Sequence, residues 1–189
     1  MAIGLPPDVS PFVHRTDTKD RFAAAFVRVL RSKEYGEVSV VDISAEAGLS
    51  RSTFYRAFES TDDLVVYGYS VYLADILSGD RPEFEDMQEA VGFMAYRIAD
   101  VTWDRRENLR LLDSRGLSPV LLDAAKQLSE RANLSSEDMF FALFHASGLI
   151  GWMSAWFREG KPDTREGLRE MLRTLVLPNG HWGPVGGSS

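Results

Sequence analysis

The chain has 189 residues, of which 44% are hydrophobic and 26% charged, as is normal for a soluble globular protein. This length fits one ordinary domain or a small domain fused to a larger one. Because the chain has no cysteine, disulfides, thiolate metal sites and thiol catalysis are excluded. Its three histidines lie far apart in sequence, and no Gly-x-Ser-x-Gly elbow or phosphate-binding glycine loop occurs. We therefore expect no metal, no cofactor and no enzymatic activity.

The formal net charge is −7, and most of the acidity lies in the C-terminal part. Residues 1–62 contain 8 Lys and Arg against 9 Asp and Glu, whereas residues 63–189 contain 13 against 19. Electrostatics alone would not have indicated a nucleic-acid partner. The first 15 residues lack the basic start and apolar core of a secretory signal, so we expect a cytoplasmic protein.

The first half of the chain predicts an extended arm followed by four helices. The arm covers residues 1–16 because it contains three prolines. A first helix is expected from Thr18 to about residue 32, and Ser39 and Ser50 are expected to cap the second and third helices. Gly48 supplies the turn between them, since glycine tolerates a positive φ. Residue 60 or 61 caps a fourth helix that ends near residue 77.

The second half predicts five more helices, over residues 83–103, 105–114, 118–132, 135–159 and 163–177. No stretch alternates with period two for long enough to indicate a sheet. The fold class is therefore all-α with about nine helices, and residues 179–189 are expected to be a disordered tail.

The second and third helices have the pattern of a helix-turn-helix. Apolar residues at helical spacing face inward and hold the pair together: Ile43, Ala47, Leu49, Phe54 and Phe58. That arrangement leaves small polar and basic residues on the free side of the third helix, which is how a recognition helix meets a DNA groove.

The chemistry of the free side suits double-stranded DNA. Arg51 and Arg56 can reach guanine edges or phosphates, whereas Ser52 and Thr53 are short enough to let the helix sit deep in the major groove. Tyr55 can donate to a phosphate. A non-DNA interaction surface with the same polar outer face is the alternative.

The residues Ser39-Val40-Val41-Asp42-Ile43, Ala47-Gly48-Leu49-Ser50 and Thr53-Phe54-Tyr55, with Phe58 and Leu64, resemble the N-terminal signature of the TetR family of transcriptional regulators. The resemblance implies a DNA-binding domain over residues 17–62 and an effector-binding and dimerisation domain over residues 63–178. It also implies a homodimer that binds a palindromic operator, usually represses, and releases DNA when a small molecule binds.

Two positions depart from the family pattern. Family members often carry His or Tyr where Ala57 stands and Lys where Thr61 stands, and both positions usually grip the DNA backbone. A weaker hold on DNA, or a non-DNA protein–protein module, is therefore also compatible with the sequence. The expected DNA contacts combine the third helix, two caps and the arm: Ser39, Ser50, Arg51, Ser52, Thr53, Tyr55, Arg56, Thr61, His14, Arg15 and Lys19.

Residues 139–157 contain no formally charged side chain and approach the length of a bilayer span. A membrane helix is disfavoured because His145 and two serines interrupt the stretch. The family resemblance implies instead that this helix and the last one form the dimer interface, although an intramolecular core helix is the alternative. The expected interface residues are Ser147, Gly148, Gly151, Ala155, Leu168 and Leu172.

Large aromatic residues in the later helices predict an apolar effector pocket with a few polar groups. An ordinary aromatic core would give the same pattern. The residues expected to contact the effector are Phe93, Tyr96, Asp100, Trp103, Phe141, Phe144, His145 and Trp152.

Overall fold

The computed structural model describes residues 13–79, 82–132 and 134–176, apart from the side chains of Met87, Phe141 and Val176. The expected disordered tail at 179–189 and most of the expected arm at 1–16 lie outside the described residues. Within the described ranges the chain is all-α, as predicted, with a short 3-10 turn at Tyr35–Glu37. The helices are α1 Asp17–Val29, α2 Val40–Ala47, α3 Arg51–Ala57, α4 Thr61–Leu77, α5 Met87–Ser114, α6 Ser118–Arg131, α7 Ser136–Glu159 and α8 Arg165–Val176.

The described residues form eight helices rather than nine because residues 83–103 and 105–114 were wrongly separated. Both stretches belong to α5, which continues through the charged run at 104–107. No proline or glycine interrupts the chain between residues 93 and 115, so nothing breaks the helix there. Arg105 forms an ion pair with Asp75 of α4, and Asp104 forms one with Arg165 of α8. Both contacts stabilise the helix at this point.

The helix starts follow their capping residues with small shifts. The side chain of Thr16, rather than that of Thr18, accepts the hydrogen bond that caps α1, from the backbone N–H of Lys19. Ser39, Ser50 and Ser60 cap α2, α3 and α4 in the same way, as predicted. Each capping oxygen satisfies a backbone donor that the first helical turn leaves unpaired.

Three phenylalanine rings form the centre of the N-terminal helices. Phe22, Phe54 and Phe58 are almost completely buried, and the Phe22 ring meets the other two edge-on at centroid distances of 5.2 and 6.3 Å. Such edge-to-face pairs add to the free energy gained from burial alone. This cluster fixes α3 against α1 and thereby decides which side of α3 faces solvent.

The long helix α4 connects the N-terminal helices to the rest of the protein. It is buried on most sides and packs against α1, α5 and α6. Two ion pairs brace the same junction: Arg131 of α6 lies 3.0 Å from Asp63 of α4, and Arg115 pairs with Glu34 beyond α1. The Arg115 guanidinium also donates to the backbone carbonyl of Arg31 at 3.1 Å.

A second core lies between α5, α7 and α8. Leu168 and Leu172 of α8 are buried against Ala95 and Ala99 of α5 and Trp156 of α7. The two alanines leave room for α8 to approach α5 closely, and a two-pronged ion pair between Arg169 and Asp100 holds the helices together at 2.7 Å for each contact.

Candidate nucleic-acid interface and ligand cavity

The turn between α2 and α3 has the geometry that its sequence predicts. The Ser39 and Asp42 side chains each accept a hydrogen bond from the other residue's backbone N–H, which closes a capping box at the start of α2. Gly48 ends the helix with φ 64° and ψ 34°, a left-handed conformation that favours glycine. The chain can therefore reverse direction within two residues, so that Ser50 caps the start of α3.

Asp42 is held in its charged form by its neighbours. The Lys33 ammonium lies 2.8 Å from the carboxylate, and hydrogen bonds from Ser39 add to its effect. Together they lower the pKa of Asp42 from 3.8 to about 2. At neutral pH the carboxylate therefore stabilises the start of α2, and Lys33 is neutralised by the protein itself.

Helix α3 has one buried side and one free side. Phe54 is fully buried, whereas its neighbour Tyr55 is 60% exposed. Arg51, Ser52 and Arg56 are exposed as well, and neither arginine forms an ion pair with any described residue. The structure thus brings the predicted third-helix residues together on one accessible surface.

Thr53 is half-buried and connects the free side of α3 to its cap. Its hydroxyl lies 2.8 Å from the Ser50 hydroxyl and accepts a hydrogen bond from the Arg56 guanidinium at 3.2 Å. This arrangement orients Arg56 along the helix before any partner binds. Thr61, the first residue of α4, is half-buried at the neighbouring edge.

The predicted arm and α1 cations are already engaged within the protein. The Lys19 ammonium lies 5.4 Å from the ring centroids of both Phe58 and Tyr67, where the ring faces attract a cation. The Arg15 guanidinium lies 3.4 Å from Asp20 and 3.7 Å from Asp75, which directs it toward α4. His14 is exposed. The arm residues are therefore not gathered on the surface formed by α3.

Sequence reasoning missed the role of Arg21. Its guanidinium donates to the backbone carbonyl of Ala47 at 2.9 Å and so satisfies the last turn of α2 from the side of α1. Arg28 similarly pairs with Glu46 at 2.5 Å. Both contacts fix α2 against α1. They also remove two cations from the set that could meet a nucleic acid.

A cavity of about 520 Å³ lies between α1 and helices α5 to α7, with α4 forming part of its wall. Most of its surface is apolar, with side chains such as Phe26, Leu64, Leu112, Ile150 and Met153. This volume is within the range typical of small-molecule sites, roughly 300–1,000 Å³. The charged and polar groups at the cavity are Arg15, Asp20, Arg28, Arg31, Arg105 and Asn108.

Residues 23–67, which contain this helix-turn-helix, match the family described as bacterial regulatory proteins, tetR family. This match covers the N-terminal helices alone. A 55-residue stretch is 42% identical to the "Uncharacterized HTH-type transcriptional regulator YwcC" of Bacillus subtilis (strain 168). That match covers 29% of this chain and spans about a quarter (25%) of the relative's length. The resemblance drawn from the sequence is thereby confirmed for the N-terminal helices.

Two solved structures extend the similarity in fold beyond the N-terminal helices. The fatty acid degradation regulator FadR from Bacillus halodurans has a TM-score of 0.53 at 15% identity, covering 87% of this chain and 97% of its own. The dihydroxyacetone kinase operon activator DhaS has a TM-score of 0.52 at 16% identity, covering 85% and 94%. At such identities the similarity establishes the fold alone.

The structure does not collect the predicted effector residues around the cavity. Phe93 packs on Phe84 with a centroid distance of 5.3 Å, and Asp100 pairs with Arg169. The pKa of Asp100 is lowered, chiefly by the hydrogen bond from Arg169. Tyr96 is exposed beside the same guanidinium.

The other predicted effector residues lie on α5 and α7, away from the cavity. Trp103 and Trp152 both pack on Trp156, and the Trp152 ring stacks on it at 5.9 Å. Phe144 and His145 are exposed, with their ring centroids 5.5 Å apart. The Phe141 side chain lies outside the described residues. As effector contacts all of these remain a prediction.

Arg105 and the apolar side chains from α1 are cavity residues that sequence reasoning missed. A signal for Arg105 was present, since Ile98, Val101, Leu109 and Leu112 share one face of α5 with it at helical spacing. The prediction of a separate helix over residues 105–114 hid this pattern. No comparable signal exists for α1, because only the packed fold brings that helix against the later ones.

The predicted dimer residues divide into two groups. Ser147, Gly148 and Gly151 are exposed and Ala155 is half-buried on one side of α7. Leu168 and Leu172, by contrast, are buried inside the protomer, so their prediction as interface residues is wrong. Because α8 packs on α5, Leu168 and Leu172 face inward, and its outward face carries Glu166, Glu170, Thr174 and Leu175.

Proposed function

We propose that this protein is a DNA-binding transcriptional regulator, acting as a repressor whose hold on DNA is controlled by a small molecule. The observation that carries the proposal is the free side of α3, where Arg51, Tyr55 and Arg56 are exposed next to a fully buried Phe54. A recognition helix needs this division between a fixed side and a free side. The match of residues 23–67 to the tetR family of bacterial regulatory proteins supports the same function.

The proposed operator is a palindrome read by two copies of α3. Its half-sites are expected about one helical turn apart, or roughly 34–36 Å, on one face of the DNA. Arg51 and Arg56 have no ion-pair partner among the described residues, so their charges are available for guanine edges or phosphates. Because Lys19, Arg21 and Arg28 are held within the protein, α3 supplies most of the contacts.

The proposed homodimer uses the outward side of α7. Phe140 and Phe144 are 81% and 75% exposed, and the small residues Ser147, Gly148 and Gly151 continue the same stripe. Exposed rings beside small residues form a surface onto which a second helix can pack closely. Among the described helices, α7 is the one whose length and apolar composition would allow it to cross a bilayer. We assign it to the dimer of a cytoplasmic protein.

A fluorescence anisotropy titration with DNA from upstream of the protein's own gene tests the function. Sequence-selective binding that weakens with salt is expected, and Arg51→Ala and Arg56→Ala should weaken it. Each phosphate contact that is lost flattens the log–log salt dependence by about 0.9. Lys126→Ala, at an exposed cation on α6, is the matched control and should leave binding unchanged.

The alternative is a protein–protein interaction module built on the same helices. The near-neutral N-terminal charge and the several α1 cations engaged within the protein favour it. Binding that is insensitive to both salt and sequence, or unaffected by either α3 variant, would favour this alternative. Sedimentation analysis tests the dimer separately: Phe144→Glu should give monomers, whereas Leu122→Glu on α6 should not.

A further inference from the structure

The position of the cavity links the DNA-facing helices to the rest of the protein. Ala23, Phe26 and Val27 of α1 form one wall, and Leu109 and Leu112 of α5 face it. A molecule in this space contacts the helix that supports α3 and also contacts the helices behind it. A molecule bound there would therefore bridge α1 and α5.

The charges that line the cavity are predominantly positive. Four arginines, Arg15, Arg28, Arg31 and Arg105, face it with a single carboxylate, Asp20. Carboxylates outside the lining compensate only partly. Asp75 is shared between Arg15 and Arg105, and Glu46 pairs with Arg28. Arg31 has no ion pair with any described residue, so a positive excess remains.

Arg105 is the cation that benefits most from a further anion. It is about half-buried, and its pKa is lowered first by burial and then by the nearby charge of Arg15. Its ion-pair partner Asp75 is shared with Arg15, which also pairs with Asp20. A second anion within reach of both arginines gains charge-assisted hydrogen bonds.

We infer that the cavity binds an anionic amphiphile, a small molecule with an apolar body and one carboxylate-type headgroup. The body lies among the apolar side chains of α1, α5 and α7, and the headgroup lies between Arg15 and Arg105. Only the regulatory consequence of this inference rests on the proposed function. A headgroup that shares the two guanidiniums with Asp75 weakens the tie between residue 15 and α4, and so alters the placement of α1.

Isothermal titration of the full chain without DNA tests the inference with three matched probes: decanoate, decan-1-ol and decylamine, each kept monomeric. The apolar contribution is common to all three probes, so the headgroup decides the order of affinity. Decanoate should bind most tightly, the alcohol more weakly, and the amine most weakly. Equal affinity for the alcohol and the acid, or tighter binding of the amine, would overturn the inference.

Variants locate the headgroup. Arg105→Met preserves side-chain length and should lower decanoate affinity about tenfold or more, since hydrogen bonds to charged groups are worth about 1.5–3 kcal/mol. Arg31→Met, at an exposed and unpaired residue, removes charge without disturbing the core and should lower affinity by a smaller factor. The control Arg158→Met should change nothing. Equal affinity in all three variants contradicts the assigned site.

The binding measurement separates this inference from the proposed function because it contains no DNA. Decanoate binding without any DNA binding would leave the inference intact and refute the regulator. Salt-sensitive DNA binding without decanoate binding would do the reverse. If both are observed, decanoate should lower DNA affinity in the wild type and not in Arg105→Met.

Discussion

Replacing Phe54 with alanine is the most direct test of how α3 is positioned. Its ring is fully buried and lies 5.2 Å from the Phe22 centroid and 5.5 Å from that of Phe58. Removing a buried phenylalanine costs about 3–5 kcal/mol of unfolding free energy. The lost ring pairs, about 0.5–1.5 kcal/mol each, place this site toward the upper end of that range.

Urea unfolding followed by far-UV circular dichroism measures the loss. A chain of this size has a denaturant slope of about 1–3 kcal/mol per molar urea, so the midpoint should fall by about 2 M. The matched control is Tyr55→Ala, one residue away but 60% exposed. It should change the unfolding free energy by less than about 1 kcal/mol and yet weaken DNA binding. Comparable destabilisation by the two variants, or less than 1 kcal/mol for Phe54→Ala, would refute the division of α3 into a fixed and a free side.

Three further variants test local features by urea unfolding and hydrogen exchange. Gly48→Ala should cost about 1–2 kcal/mol because φ is 64°, whereas Gly36→Ala, at an ordinary φ with open space around it, should not. Asp42→Asn should destabilise the protein near neutral pH. Since folding lowers the pKa of Asp42 to about 2, the difference in unfolding free energy between wild type and variant should shrink as pH falls below about 4. A difference that stays constant with pH would contradict the pairing with Lys33. Asp100→Asn should cost at most about 1 kcal/mol and speed amide exchange selectively in α8; uniform exchange would show that the pair does not hold this helix.

The N-terminal helices could be predicted from sequence because their signals are local. Capping serines, a turn glycine and phenylalanines four apart each act within one or two turns of helix. The same logic failed at residue 104, where one helix was predicted as two. Charged residues are compatible with a helix, and the contacts of Arg105 and Asp104 with other helices decide the outcome.

The ligand cavity could not be predicted because packing between distant helices creates it. Large side chains such as Trp103 and Trp152 indicated a pocket, but they fill their space by stacking on Trp156. The cavity lies instead where the medium-sized side chains of α1 and α5 fail to meet. Likewise, the leucines of α8 could face inward or outward on periodicity alone, and the small alanines of α5 settle the question.

The ion pairs of Arg115 and Arg131 limit how the N-terminal helices can be exchanged between proteins of this fold. Both arginines lie beyond residue 63, whereas their partners Glu34 and Asp63 lie at or before it. In a chimera joined after residue 63, each cation is separated from its counter-ion. The grafted N-terminal helices then lose both ion pairs that orient them. Placing arginines at the positions of Arg115 and Arg131 in the new C-terminal part would restore both ion pairs, and with them the orientation of the grafted helices.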